Sequence, residues 1–299
     1  LHDKIEFDIV PTCLDFNFEK FYSLFVQNDF REAEINTLKE HLKKLTQNIV
    51  SQSTIKMKEE MGHVLELEEF RQDQNKHLKK EDHLPLVINK LLRQATDYGT
   101  LPFSKLARNG FIALSFLKSL VARDVFSEED LELILKSIPT VASSFTEKVR
   151  LLNEGDIELS VFLEEFGHLR PGTYDILSPN YKENAKNYFL KNKSRDEDQE
   201  YTSNSNNFLD TIFRKKEKAI KKLIEEEGFV FSLEDLLLFI SEAIPAREYS
   251  KFIFTKSLDQ IFSYIKLWGY GLDLKDDDLS YLSINKILSL SSSSDSVAL

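Results

Sequence analysis

Two cations lie four residues apart in the segment "AREYSKF", at Arg247 and Lys251. Residues at this spacing project from the same side of a helix, and two cations so close repel each other unless an anion lies between them. Glu248, the neighbouring acid, points elsewhere on the helix. A guanidinium offers a planar fork of donors and an ammonium offers a point charge, so a phosphate or a developing phosphoryl charge is a suitable guest. From spacing alone, two cations that face acids on another helix are the commoner arrangement.

The stretch "EFGHLRPGTYDILSPNY", residues 165–181, is rich in turn-forming residues. Gly167 can end a helix in the left-handed conformation. Pro171 and Gly172 favour a tight turn, in which proline presets φ and glycine accepts a positive φ. Such a turn would fix the directions in which the neighbouring polar side chains point.

Those polar side chains belong to His168, Arg170 and Asp175. A histidine that titrates near neutral pH, with an arginine and a carboxylate beside it, could bind an anion or relay a proton. Arg170 and Asp175 could equally pair with each other and bond to the backbone of the loop. Both interpretations remain open from spacing.

The chain that must position these residues has the composition of a helical protein. Only 9 Gly and 7 Pro occur in 299 residues, of which 41% are apolar. This scarcity of turn formers favours long helices over many short strands. We therefore predict a mainly α, multi-helix fold with a short extended N-terminal segment and one ordered, turn-rich loop at 167–180. The most apolar predicted helix, at about 103–127, should run through the centre of the domain.

Glycine, serine and proline mark the boundaries of several predicted helices. Gly99 would close the helix "PLVINKLLRQATDYG", and Gly228 would close "FLDTIFRKKEKAIKKLIEEEG". Ser232 would open the long C-terminal helical stretch, and Gly269 would close it. Pro245 should kink or divide that stretch, because proline removes one helical hydrogen bond and crowds the preceding turn.

The domain organisation is predicted from shifts in composition along the chain. Residues 1–18 alternate around a proline and are predicted to be an extended connector from a missing upstream domain. Residues 19–290 would form one helical domain. Within it, the polar stretch 191–207 is predicted to be a mobile loop, and the serine-rich residues 291–299 a linker or tail.

The composition also excludes several kinds of site. Cys13 is the sole cysteine, so no intrachain disulfide and no cysteine cluster for zinc or iron–sulfur can form. The spacing of His63, His77 and His83 matches no familiar metal-binding motif, and we predict no metal site. The sequence lacks a G-x-x-x-x-G-K-[ST] phosphate loop, a G-x-G-x-x-G motif and a G-x-S-x-G elbow. These absences argue against the usual nucleotide-binding domains and serine hydrolases.

Net charge and hydropathy restrict the kinds of partner that the chain is expected to bind. A formal net charge of −11 argues against binding to nucleic acid or to an anionic membrane surface. No apolar run reaches the roughly 18 residues needed to span a bilayer. We therefore predict a cytoplasmic protein with no nucleic-acid and no membrane partner. The start at Leu1 suggests a fragment of a longer polypeptide.

Three segments, in this order, resemble motifs of the phosphoenolpyruvate-synthase-like phosphotransferases, the family that includes rifampicin phosphotransferase. "LARNGFIALSFLKSLVARDVFSEEDL" resembles the family's Leu-Ala-Arg helix, and "FLEEFGHLRPGTYDILSPNY" resembles its Phe-Leu-x-x-(Tyr/Phe)-Gly-His-x-x-Pro-Gly-x-x-Asp-(Ile/Leu) stretch. "AREYSKF" resembles its Arg-Glu-Tyr-x-Lys helix. Together with "DDDLSYLSINKIL", the resemblance covers roughly residues 100–290.

The resemblance implies a part of a three-part enzyme. In this family an ATP-grasp domain binds ATP, a swivelling domain carries a phosphorylated histidine, and a third domain binds the small-molecule acceptor; ATP is split to AMP and phosphate. The chain has no Gly-Gly pair, so it resembles the acceptor domain alone, inactive when isolated and without a cofactor of its own. ATP and Mg²⁺ are implied for the full-length enzyme.

The resemblance also implies roles for the site residues. Arg247 and Lys251 correspond to the arginine and lysine that meet the incoming phosphohistidine, and they are our candidate catalytic residues. His168, Arg170 and Asp175 are candidates for binding the acceptor. Two other hypotheses are a non-catalytic helical scaffold derived from the family and a self-contained enzyme that uses His168.

Overall fold

The computed structural model describes residues 11–77, 83–190 and 208–290 of the chain. Within these ranges the backbone forms thirteen α-helices and two short π-helical segments, with no β-strand. The α-helices are α1 (Glu19–Gln27), α2 (Glu32–Ser51), α3 (Ser53–His77), α4 (Leu84–Gln94), α5 (Leu101–Ala122), α6 (Glu128–Ser137), α7 (Val141–Glu154), α8 (Leu159–Phe166), α9 (Phe208–Lys215), α10 (Glu217–Glu226), α11 (Leu233–Tyr270), α12 (Asp276–Ser280) and α13 (Ile284–Leu290). The π-helical segments are Ala95–Thr100 and Lys186–Leu190. The predicted mainly α fold is confirmed.

The non-helical regions agree with the prediction as far as the described residues extend. Residues 167–180 form only turns, bends and irregular backbone, as predicted for the turn-rich loop. Residues 11–15 form neither helix nor strand, whereas 1–10 lie outside the described part of the chain. The predicted loop at 191–207 and tail at 291–299 lie outside it as well. In the helices described, none is long and apolar enough to cross a membrane.

The described chain forms two compact units, each built from three separate stretches of sequence. The first unit contains 11–59, 105–140 and 208–248; the second contains 60–77 and 83–104, 141–190 and 249–290. In the described chain the division falls within α3, α5 and α11 and, at 140/141, between α6 and α7. The predicted single domain at 19–290, with its boundaries, stays a prediction.

An aromatic core lies in the first unit. The ring of Phe16 packs edge-on against the ring of Phe116 from α5, with ring centres 5.2 Å apart, and both side chains are at most 1% exposed. The Asp15 carboxylate accepts a 2.6 Å hydrogen bond from Ser115 Oγ, so it ties the segment before α1 to α5. Edge-to-face rings and satisfied buried polar groups both stabilise such a core.

The predicted helix over 208–228 is two helices, α9 and α10, which meet at Lys216. Gly228 follows α10 with φ of +65°, a conformation that favours glycine. The Phe229 N–H donates to Ile224 O at 3.0 Å across this turn. The predicted glycine cap at this position is therefore confirmed.

The long helix α11 begins as predicted but is not divided. Ser232 Oγ accepts the N–H of Asp235 at 3.1 Å, and the Asp235 carboxylate accepts the N–H of Ser232 at 2.8 Å, so the pair forms a reciprocal cap. Pro245 lies inside the continuous helix, and the prediction that it divides this stretch is wrong. Proline fixes φ near the helical value and removes one hydrogen bond, which a helix of 38 residues tolerates.

Two glycines that were predicted to end helices instead lie within helical backbone. Gly269 is in the last turn of α11, and an added Cβ would lie 2.5 Å from Leu279 Cδ2. Gly99 lies in the π-helical turn between α4 and α5, where an added Cβ would lie 2.7 Å from Phe254 Cδ2. Both glycines permit close packing of a neighbouring side chain. The helix end predicted at Gly99 is wrong, whereas α11 ends at Tyr270, one residue beyond Gly269.

The π-helical turn at Ala95–Thr100 has a local cause. The Leu101 N–H donates to Thr96 O, five residues earlier, and the next residue, Pro102, has no N–H to donate. A π turn commonly inserts one extra residue into an otherwise continuous helix. The backbone therefore continues from α4 into α5 without leaving the helical conformation.

Candidate functional site

Arg247 lies in α11 within the first unit, and its side chain is half-buried. Its guanidinium carbon is 4.3 Å from the centre of the Phe111 ring on α5, a distance at which an aromatic face attracts a cation. The aliphatic part of the side chain packs against Gly110, where an added Cβ would lie 2.9 Å from Arg247 Cδ. The charge of Arg247 is thus positioned by α5.

Lys251 lies one helical turn further along α11, in the second unit, and is exposed. Among the described residues, no hydrogen bond or ion pair involves its side chain. Arg247 and Lys251 are four residues apart in one unbroken helix, as predicted. The alternative interpretation, in which Lys251 faces an acid on another helix, therefore has no support within the described chain.

Arg170 is buried, with its side chain 4% exposed, and it forms an ion pair with Asp259 of α11. Its Nη1 donates to Ser178 O at 3.2 Å, and its guanidinium carbon lies 5.0 Å from the centre of the Phe262 ring. Asn180 Nδ2 donates to the same carboxylate at 2.8 Å. Burial raises the pKa of Asp259, while Asn180 and Arg170 act to lower it. Arg170 therefore fixes the turn-rich loop to α11, and its charge is already balanced.

Asp175 is exposed and takes no part in that ion pair. Its carboxylate accepts the N–H of Leu177 at 2.9 Å, and so it organises its own turn. The interpretation that Arg170 and Asp175 pair with each other is wrong, because the carboxylate that faces the guanidinium comes from a residue 89 positions later. Both side chains do bond to the backbone of the loop, as that interpretation supposed.

The glycines of this loop are needed for space. Gly167 follows α8 with φ of −61° and ψ of −23°, a right-handed conformation, and an added Cβ would lie 3.2 Å from Lys182 Cβ. Gly172 also lacks a positive φ, and its added Cβ would lie 3.0 Å from Ser178 Cβ. The Asp175 N–H donates to Gly172 O at 3.0 Å, so the hydrogen-bonded turn begins at Gly172 and is not centred on Pro171 and Gly172. The predicted left-handed conformations are wrong.

His168 has an apolar and cationic environment in the second unit. Its ring centre is 4.7 Å from that of Phe252 on α11, and its Nε2 atom is buried without a hydrogen-bond partner among the described residues. Burial, and then the charges of Lys256 and Arg71, lower the pKa of His168 to about 3, although backbone oxygens of Phe252 and Glu165 oppose this shift. The imidazole is neutral at physiological pH, so the expected titration near neutrality does not occur.

The cations beside His168 belong to a charged group that sequence reasoning missed. Arg71 of α3 donates two hydrogen bonds, of 2.7 and 2.6 Å, to the Glu68 carboxylate. Lys256 Nζ lies 3.9 Å from Glu68 Oε1 and 4.8 Å from the centre of the Phe252 ring, and burial lowers the pKa of Lys256. The three-residue spacing of Glu68 and Arg71 was a readable helical signal. No sequence pattern links either residue to Lys256.

In the described ranges, no group of three or more histidine, cysteine, aspartate or glutamate side chains could bind a metal ion. Comparisons of the chain with family models, curated proteins and solved structures give no match. The site is therefore interpreted from its own residues and from the motif resemblance.

Proposed function

We propose that this chain is the acceptor-binding part of a phosphoenolpyruvate-synthase-like phosphotransferase. In such an enzyme ATP is split to AMP and phosphate, and a phosphohistidine on a separate swivelling domain passes its phosphoryl group to a small organic acceptor. The observation that supports this most directly is the position of Arg247 and Lys251. They lie four residues apart in one continuous helix, within a segment that resembles the family's Arg-Glu-Tyr-x-Lys motif.

Phosphoryl transfer requires positive charge placed where negative charge accumulates, together with alignment of donor and acceptor. In this proposal, Arg247 binds two phosphoryl oxygens through its planar fork, and Lys251 contributes a mobile point charge. Lys251 is exposed, which suits contact with a group that arrives on another domain. ATP and Mg²⁺ would be bound by the ATP-grasp domain and not by this chain.

The turn-rich loop has a different role in the proposal. The charge of Arg170 is balanced by Asp259, so Arg170 would position the loop and would contact the acceptor only if that ion pair opened. His168, with a pKa of about 3, is a poor general base at neutral pH. This finding disfavours a self-contained enzyme that uses His168. In the proposal, His168 would contact the acceptor as a neutral group and Asp175 would contact it through its carboxylate.

The test joins this chain to the ATP-grasp and phosphohistidine domains that the proposal requires. AMP release from ATP is then measured across a panel of small hydroxylated acceptors. We expect the double variant Arg247→Ala, Lys251→Ala to lose acceptor-dependent AMP release by about 100-fold or more, the scale seen when preorganised charge is removed from a transition state. Arg150→Ala, which changes an exposed arginine of α7, is the matched control and should retain activity.

Two results would contradict the proposal. Full acceptor-dependent turnover in the double variant would exclude Arg247 and Lys251 as the catalytic cations. If no acceptor increases AMP release beyond the amount that accompanies phosphorylation of the swivelling histidine, in a protein that is folded, the result would favour the non-catalytic helical scaffold.

A further inference from the structure

The helices α5 and α11 approach each other closely at Gly110, within the first unit. An added Cβ there would lie 3.0 Å from Arg247 Cβ and 3.2 Å from the backbone oxygen of Ala243. Gly110 does not have a positive φ, so its backbone conformation would accept any residue. Its small size is what allows the first atoms of the Arg247 side chain to lie against α5.

The next residue along α5 determines where the other end of the arginine lies. The Phe111 ring centre is 4.3 Å from the guanidinium carbon of Arg247. An aromatic face attracts a cation through its quadrupole, which an aliphatic side chain of similar volume lacks. Gly110 and Phe111 together contact both ends of the same side chain.

We propose that Gly110 and Phe111 are positioning residues that fix Arg247 for binding a phosphoryl oxyanion. This inference rests on the proposed function, because it concerns the cation that would meet the phosphoryl group. Arginine has several rotatable bonds, and ordering them on binding costs free energy. A guanidinium that is already ordered on a ring avoids part of that cost. Removal of the ring should therefore weaken anion binding without removing any atom of Arg247.

The experiment uses the 299-residue chain with inorganic phosphate as the probe. Binding is measured by calorimetry, and the Arg247 Nε–H resonance is followed by NMR without phosphate. Phe111→Leu should weaken phosphate binding by about 3- to 10-fold, corresponding to the loss of one cation–π contact. It should also move the Nε–H resonance, because the ring-current field of the phenyl group disappears. Phe111→Tyr retains the ring face and should keep both properties close to those of the unsubstituted chain.

Two further variants separate positioning from general stability. Gly110→Ala should displace the arginine stem and weaken phosphate binding while the ring remains. Phe103→Leu, on the same helix, removes a half-buried ring that stacks on Phe254 and not on a cation. It should leave phosphate binding unchanged, and urea unfolding of each variant shows whether the fold persists.

The outcomes distinguish this inference from the proposed function. If Arg247→Ala abolishes phosphate binding while Phe111→Leu and Gly110→Ala bind normally, the positioning roles are excluded and the proposed function stands. If the unsubstituted chain and Arg247→Ala bind phosphate equally, Arg247 is not the cation that meets the phosphoryl group and the proposed function fails. An Nε–H resonance that does not move in Phe111→Leu overturns the positioning inference by itself, even if Gly110→Ala fails to fold.

Discussion

Burial and two nearby positive charges keep the imidazole of His168 neutral, because together they outweigh the opposing backbone hydrogen bonds. Burial against Phe252 removes water from the ring, and the positive charges of Lys256 and Arg71 disfavour a third cation nearby. Each of these effects lowers the pKa of a histidine. The unfolded chain lacks all three, so its His168 would titrate near the ordinary value of 6.5.

That difference in pKa predicts a pH dependence of stability. Between about pH 6.5 and pH 3 the unfolded chain binds a proton at His168 and the folded chain does not. The contribution of neutral His168 to the free energy of unfolding is therefore complete above pH 6.5 and is lost as the pH falls toward 3. Urea unfolding at successive pH values should show the free energy of unfolding falling by up to about 1.4 kcal/mol per pH unit from this residue.

The variant His168→Gln should lack this component, and its curve of unfolding free energy against pH should be flatter over that range. His41→Gln changes an exposed histidine of α2 and is the matched control. Curves for the unsubstituted chain and His168→Gln that run parallel would show that His168 titrates alike in the folded and unfolded states.

The ion pair between Arg170 and Asp259 gives a second prediction at the same scale. Asp259→Leu would leave the buried guanidinium without its counter-charge, which we expect to reduce the free energy of unfolding by about 3 kcal/mol or more. The double variant Arg170→Met, Asp259→Leu removes both charges and should cost clearly less than the sum of the single changes. Arg150→Met, at an exposed pair on α7, should have little effect. Additive costs in the double-mutant cycle would mean that the two side chains do not interact.

Sequence reasoning singled out candidate site residues, which stay predictions, but it did not identify the side chains that contact them. Arg170 was recognised, but its counter-ion Asp259 lies 89 positions away, beyond the reach of any local spacing rule. Arg247 was recognised from its helical spacing, whereas the ring beneath it belongs to a different motif, at Phe111. Spacing specifies which side chains share a face of one helix, but it carries no information on which helix packs against that face.

The same limit appears at the scale of the helix. Periodicity and composition predicted a helical chain correctly, because the apolar residues recur at three- and four-residue intervals. The ends of the helices were predicted less well. Gly228 does adopt the positive φ of a cap, but Gly99 and Gly269 lie within helical backbone and accommodate Phe254 and Leu279. From sequence alone, a glycine that ends a helix cannot be told from a glycine that makes room for a side chain of another helix. The two are distinguished only when the packing of the helices is known.

Two helical glycines of the second unit make this distinction testable. Gly99→Ala would place a Cβ 2.7 Å from Phe254 Cδ2, and we expect overpacking to cost about 1–3 kcal/mol of unfolding free energy. Gly62→Ala in α3 would meet nothing within 4 Å and should increase that free energy by about 0.5–1 kcal/mol, because alanine has the higher helix propensity. Urea unfolding of both variants measures the difference. Equal stabilisation by the two changes would show that Gly99 is not needed for packing.

At the scale of the whole chain, the two compact units could not have been derived from composition. Domain boundaries are usually read from linkers that are rich in glycine, proline or polar residues. In the described chain, three of the boundaries between units fall inside the continuous helices α3, α5 and α11, and one falls at 140/141, between α6 and α7. Each unit is assembled from three separated stretches, so no single position in the sequence marks a boundary.

The distribution of charge bears on how a phosphoryl group would reach this chain. With 50 acidic and 39 basic residues, the molecule carries a formal net charge of −11, which disfavours the approach of a free phosphate. Screening limits that repulsion to roughly 8 Å at physiological ionic strength, so local cations such as exposed Lys251 can still act at contact. A phosphoryl group carried on a tethered histidine arrives at a high effective concentration and does not need to be captured from solution. Under the proposed function, the acidic chain would therefore receive its phosphoryl group from a carrier domain and would bind free phosphate only weakly.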